Sequence, residues 1–330
     1  HYPLRRQRQM CIRDSYLIGR IGQALLVLWG AYTITYLILY LLPGDTLAIM
    51  LSASGMEVDG LSADDLAKAR AYYGLDKSML EQYFDLLWRA LQGDLCQSLS
   101  LNRPVTELLA ERLPQTLALA GLAIALSLLG GVGLAYLTAY LQWRPLKVAL
   151  ARLPSLGFSV PVFWMGLLLI QVFAFGLGWF PATGSQGLAS LVLPAVTLAI
   201  PSAAVYAQVL QRGFQGVWQE PYIITAFAKG LSRAQVQARH GLRNAALPIL
   251  TLVGLQVGNT VSGAVLVETI FSRNGVGRLA QEAVLRQDIP VVLAIVTVSA
   301  AAFVLVNLIV DLLYPYLDPR INHAAKVTRA

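Results

Sequence analysis

The groups most able to do chemistry are sparse: three histidines and two cysteines stand among 330 residues. Only His240 sits in a regular pattern, Arg239-His240-Gly241-Leu242-Arg243-Asn244. A lone imidazole there reads as a hydrogen-bonding brace for a loop and not as a general base or a metal ligand. The sequence has no Gly-rich Lys-Ser/Thr phosphate loop, no His-Glu-x-x-His, no Cys-x-x-Cys and no Gly-x-Ser-x-Gly. ATP hydrolysis, metalloprotease chemistry and serine hydrolysis therefore lack their parts. No catalytic residue, no metal site and no cofactor is expected.

The remaining candidates are polar residues set inside long apolar runs: Gln171, Gln208, Gln256, Asn259 and Glu268, with Asn307 one helical turn before Asp311. An unsatisfied amide or carboxyl at membrane depth is costly, so such residues either line a path or bond to a neighbouring helix. The first five are candidates for a translocation path, with interhelical bonding as the alternative. Glu268 stands equally as a path residue or as the cap of an outer loop. Asn307 and Asp311 share a helix face and are expected to brace one end of the bundle.

The elements that hold these groups are membrane helices. Apolar residues make up 56% of the chain and charged residues 13%, about half the charge of an ordinary soluble domain. Runs of about 20 apolar residues, enough to cross roughly 30 Å of hydrocarbon, recur at Ile21 to Leu42, Gln115 to Leu141, Leu153 to Phe175, Leu191 to Leu210, Pro248 to Ile270 and Pro290 to Tyr314. The expected fold is all-α and polytopic, with six transmembrane helices. The net charge of +7 is dispersed between these runs and forms no nucleic-acid patch. Sixteen of the 25 Lys and Arg fall on the side of the two termini and nine opposite, which places both termini in the cytoplasm. Cys11 and Cys96 then lie on opposite sides of the membrane and are not expected to pair.

The organisation along the chain follows. His1 to Ser15, without Met and with Arg5, Arg6, Arg8 and Arg13, reads as a non-native leader left by cloning or assembly, with a basic cytoplasmic arm as the alternative. Residues 16–42 form the first span. Residues 43–114 hold most of the acidic residues and form an outer region. There, Ser62 with Asp65 begins a helix that Gly74 can end, and Leu80, Phe84, Leu87 and Leu91 mark a second helix whose apolar stripe must pack on something, within the chain or as a docking surface on the outer face. Residues 115–314 form a five-helix core, and 315–330 a cytoplasmic tail.

Within that core, Gly213 to Leu247 is too polar to enter the membrane. Pro221 suits a first helical turn, Lys229 and Gly230 a last turn and stop, and Ser232 with Gln235 a second capping box. The spacing predicts two short helices meeting at Gly230. Lys229, Arg233, Arg239 and Arg243 would form an exposed basic face and Ile223, Ile224, Phe227 and Leu231 an apolar side. Such a pair reads as a lever or as an inert linker.

The run Thr225-Ala226-Phe227-Ala228-Lys229-Gly230-Leu231, followed by Arg239-His240-Gly241-Leu242-Arg243-Asn244-Ala245-Ala246-Leu247-Pro248, resembles the EAA loop of permeases in the binding-protein-dependent dipeptide, oligopeptide and nickel family. Gly93-Asp94-Leu95, Arg112-Leu113-Pro114 and Leu317-Asp318-Pro319-Arg320 agree with that family in order, and the resemblance covers about Tyr16 to Ile321. It implies a type I ABC importer permease fold, with an extracytoplasmic helical region after helix 1, in a bacterial inner membrane. It also implies a second homologous permease subunit, two cytoplasmic ATP-binding subunits and an extracytoplasmic substrate-binding protein as partners. The ATPase-coupling residues would be Pro221, Tyr222, Thr225, Ala226, Phe227, Ala228, Lys229, Gly230, Leu231, Arg239, His240, Arg243 and Asn244. Two positions depart from the family pattern: Phe227, where Arg is frequent, and Arg273-Asn274, where Trp-Pro is usual. Di- or oligopeptides are the expected cargo, with nickel or another chelated metal as the alternative. A non-transporting membrane scaffold is the reading from another class.

Overall fold

The computed structural model describes residues 2–41 and 77–317, with the side chains of 2–18, 247, 250, 251 and 310–317 left aside. Among the described residues every regular element is helical, and an isolated bridge pairs Gln97 with Pro104. The chain divides into two compact units, His1–Arg112 with Leu279–Leu308, and Leu113–Arg278 with Ile309–Ala330. The helix expected between Ser62 and Gly74 lies outside the described residues, as does the side chain of Asp311.

The first unit contains α1 (Tyr2–Leu41), which continues as helix through the segment expected to be a leader. It also contains α2 (Met79–Leu91), opened by a capping box in which Ser78 and Glu81 satisfy each other's backbone N–H groups. α2 lies against α1: Tyr36 donates its hydroxyl to the Met79 carbonyl at 2.9 Å, and the Thr33 and Tyr83 hydroxyls meet at 2.7 Å. Tyr32, Tyr36, Ile289 and Leu293 form the small core of this unit with Met79, Tyr83, Leu86 and Ala90. Leu87 packs on this core, as self-packing requires, while Leu80, Phe84 and Leu91 are exposed and turn the rest of the stripe outward. Asp288, fully buried, fastens the loop before the next helix. It accepts from the hydroxyls of Ser98 at 2.6 Å and Ser100 at 2.8 Å, and from the backbone N–H groups of Leu99 and Ser100.

The longest helix after α1 is α3 (Val105–Tyr140), with Pro114 inside it. Its 36 residues extend about 54 Å, well beyond the hydrocarbon thickness. The span expected to begin at Gln115 thus begins one helical stretch earlier. The run expected as one span at Leu153 to Phe175 is broken into α4 (Arg144–Ser159), α5 (Val162–Leu169) and a π-helical segment (Ile170–Gly176), bent by 106°. The cause is local: Pro161 drives Val160 into the extended region (φ −100°, ψ 121°), where a helix cannot continue.

α6 (Ala189–Trp218) is the most enclosed helix of the second unit, burying Leu193, Leu198, Tyr206, Leu210 and Phe214. α7 (Pro221–Ala228), α8 (Arg233–Val236), a π-helical turn (Gln237–Leu242) and α9 (Arg243–Ala245) then lead into α10 (Leu247–Ile270). α11 (Val276–Leu285) and α12 (Ile289–Leu317) complete the described chain. Among the described residues, four helices are long and apolar enough to cross a membrane: residues 19–41 of α1, α3, α6 and 289–309 of α12, and five if the bent pair is one span. α10, 24 residues from Leu247 to Ile270, is also long enough to cross, with Gln256, Asn259, Thr260 and Glu268 set in its apolar run.

Candidate functional site

The 213–247 segment is built from tightly specified turns. Pro221 takes the first helical position of α7, where its missing N–H costs nothing. At the other end Gly230 has φ +83°, its N–H bonds the Phe227 carbonyl at 2.9 Å, and the Leu231 N–H bonds the Ala226 carbonyl at 3.3 Å. This is a Schellman stop, and it requires a residue at ease in the left-handed region. Ser232 then opens α8 with a complete capping box to Gln235.

The apolar side of the segment divides in two. Ile223, Ala226, Val236 and Ala245 are buried against Ala135, Leu210, Phe214 and Val217 of α3 and α6. Ile224, by contrast, is 74% exposed, and Tyr222 and Phe227 are partly exposed beside it. α7 thus keeps one face on the bundle and offers an apolar ridge outward. Lys229, Arg239 and Arg243 are exposed as expected. Arg233 is not: it lies over the Trp218 ring at 5.2 Å and donates to the Ala139 carbonyl at 3.2 Å, because its position on α8 faces the end of α3. Phe227 stacks on the same Trp218 ring, with centroids 6.2 Å apart.

Two further contacts fasten the segment. Gln237, fully buried, donates from Nε2 to the Tyr136 carbonyl at 2.7 Å. Asn244 donates to the Tyr222 hydroxyl at 3.2 Å and to the His240 carbonyl at 2.9 Å, while the His240 and Tyr222 rings lie 6.4 Å apart. His240 therefore stands among bracing contacts. Trp218, which stacks on Phe227 and lies under Arg233, and Gln237, bonded to the distant Tyr136, are the residues that sequence reasoning did not assign to the site.

The polar residues at membrane depth do not converge. Asn259 donates to Gln256 one turn away on α10. Gln171 is exposed on the π-helical segment and Gln208 is half-buried on α6. Glu268 is fully buried and accepts from the Thr116 hydroxyl at 2.6 Å and from the N–H groups of Gly277 at 2.7 Å and Arg278 at 3.2 Å. Its carboxylate caps the start of α11, where backbone donors favour an anion, so the loop-capping geometry is the one present. A Cβ at Gly275 would fall onto that carboxylate. Arg273, nearly fully buried, donates to the carbonyls of Ser190 at 2.9 Å and Gly184 at 3.3 Å and to Gln115 Oε1 at 3.0 Å. The departure at this position is a tie between loops. Asn307 donates to the Phe303 carbonyl at 2.9 Å.

Residues 131–323 match the family model described as the binding-protein-dependent transport system inner membrane component. A glutathione transport system permease protein of Pectobacterium atrosepticum is 36% identical over 312 residues, covering 94% of this chain and 99% of that protein. A Brucella suis protein provisionally named as a peptide transport system permease is 35% identical over 317 residues, with the same coverage. Among solved structures, the inward-facing methionine ABC transporter MetNI matches with a TM-score of 0.50 at 15% identity, covering 64% of this chain and 97% of that one. An amino acid ABC transporter solved with histidines gives a TM-score of 0.50 at 20% identity, covering 64% and 94%. With a family match over more than half the chain and relatives aligned over nearly all of it, the chain belongs to the binding-protein-dependent transport system inner membrane components and is the multi-pass permease subunit of an ABC importer.

Proposed function

We propose that this subunit imports di- or oligopeptides, forming half of the translocation pathway and taking its drive from ATPases that dock on α7. The observation that carries the coupling part is the divided face of α7: Ile223 and Ala226 are buried in the bundle, while Ile224 stands 74% exposed. A short helix anchored on one side and apolar on the other fits a socket in a cytoplasmic partner. ATP binding would shift the bundle only through contacts that differ between states, and this ridge is where they would be made.

The positive-inside count sets the 213–247 segment and both termini in the cytoplasm, with residues 43–114 outside, facing a substrate-binding protein. A second permease completes the pathway in this reading. Gln171, Gln208, Gln256 and Asn259 are its polar candidates for contact with cargo. Glu268, capped as it is, would act there only after the α11 start opens. The peptide assignment rests on the names of the relatives, one for glutathione and one for peptides.

The test is purification of the tagged chain from native membranes in mild detergent, followed by reconstitution of whatever co-purifies. Recovery of a second permease and two ATPases, with ATP-dependent uptake of labelled tripeptides, is the expected result. Uptake of a nickel chelate alone would replace the cargo assignment. Isolation of the chain without ATPases would move it to a scaffold role.

A further inference from the structure

α2 has three faces, not two. At 3.6 residues per turn, Met79, Tyr83, Leu86 and Ala90 share the side packed on α1 and the start of α12. Glu81, Asp85 and Arg89 share a narrow charged side, with Asp85 paired to Lys77 at 2.9 Å and to Arg89 at 3.4 Å. Lys77 holds the Asp85 carboxyl below its ordinary range, so this side remains ionised at neutral pH. Between them run Leu80, Phe84, Trp88 and Leu91, each 62 to 74% exposed. Four large apolar side chains in a row on a 13-residue helix are not ordinary surface.

The packing fixes how deep that row lies. Tyr36 and Thr33, which hold α2, stand five and eight residues before the end of α1 at Leu41, about 7 and 12 Å along the helix. Ile289 and Leu293, also against α2, belong to the first turns of α12. α2 therefore rests on the last turns of one membrane span and the first turns of another. That is the level at which amphipathic helices lie in a bilayer, their apolar face buried roughly 5–10 Å into the headgroup/acyl boundary. On the side of α1 turned away from Tyr36, Ile34, Ile38 and Leu41 are also exposed and apolar, as a lipid-facing helix requires.

From this we infer that α2 is an interfacial helix whose Leu80-Phe84-Trp88-Leu91 stripe is embedded in the outer part of the bilayer, with phospholipid as its partner. Trp88 suits the headgroup level, where an indole has an apolar body and a polar edge. The charged side faces water and keeps the helix from sinking. The inference uses only the spans through α1 and α12 and stands apart from cargo and coupling, so an uptake result does not bear on it.

The experiment labels single cysteines with a nitroxide in the full chain, with Cys11 and Cys96 replaced by Ser, together with its co-purifying subunits in phosphatidylethanolamine and phosphatidylglycerol liposomes. Phe84→Cys, Trp88→Cys and Leu91→Cys should collide several-fold more with oxygen than with a water-soluble nickel chelate, and Asp85→Cys and Arg89→Cys should show the reverse. Labels on the stripe that meet the nickel chelate as freely as those on the charged side would overturn the inference, because the stripe would then face water. Labels shielded from both agents would overturn it in favour of a protein partner. The native residue gives an independent reading: lipids brominated near the glycerol should quench more fluorescence in the wild type than in Trp88→Phe. Equal quenching counts against the proposal.

Discussion

Gln237 and Tyr136, 101 residues apart, are joined by a 2.7 Å hydrogen bond from a fully buried side-chain amide to a carbonyl near the end of α3. With Arg233 bound to Ala139 three residues on, this makes the end of α3 the seat of the 213–247 segment. The Ala139 carbonyl, in the last turn of α3, lacks a helical donor and Arg233 supplies one, while Gln237 adds a second donor to the Tyr136 carbonyl.

Gln237→Leu should remove a buried amide's hydrogen bond to the Tyr136 carbonyl, at a cost of about 0.5–1.5 kcal/mol. A lower midpoint of thermal unfolding in detergent is expected, with uptake falling further than stability does. Unchanged melting and uptake together would remove Gln237 from the seat.

Gly230→Val should be unfavourable by about 1–2 kcal/mol, because a β-branched residue at φ +83° meets its own backbone. The expected phenotype is a folded, inserted chain whose partner ATPases no longer respond to loaded binding protein. Uptake and ATPase stimulation at wild-type levels would contradict the assignment of α7 as the coupling helix.

Glu268→Gln should destabilise the second unit by about 1 kcal/mol, since the amide oxygen can keep the Gly277 and Arg278 N–H groups but its N–H₂ would then face the Thr116 hydroxyl that now donates to the carboxylate. Gly275→Ala should be harmful in the wild type and much less so in Glu268→Ala, because the new methyl meets that carboxylate. A double-mutant cycle read by thermal shift checks the coupling, and additive effects would refute it.

Asp288→Ala frees four donors at once in the 98–100 loop. Hydrogen exchange at Leu99 and Ser100 should rise sharply, with α6 unaffected. Protection unchanged at those two amides would mean the loop is held by something else.

The local signals proved readable where their partners were local. The Pro221 start, the Gly230 stop and the Ser232/Gln235 box are present in the structure because each is decided within six residues. The broken helix was legible too, in Val160-Pro161, but the apolar content of Leu153 to Phe175 masked it: hydropathy measures burial and is blind to a bend. Arg233 counted among exposed bases because its distant partners, Trp218 and Ala139, are brought to it only by the fold. Glu268 looked the same on paper as a path residue or a cap, and only the arrival of Thr116, 152 residues away, distinguishes the two geometries.

α3 carries a clasp at each end of the second unit. Tyr136 and Ala139 receive the 213–247 segment, while Gln115 and Thr116 receive Arg273 and Glu268. About 30 Å of unbroken α-helix separates Thr116 from Tyr136 with Pro114 beyond it, so the stretch between the clasps holds no proline hinge. A helix of this kind transmits axial displacement like a tie-rod. A shift of the 213–247 segment that keeps its clasp must therefore either be felt at the start of α11 or be absorbed by breaking one of four named hydrogen bonds.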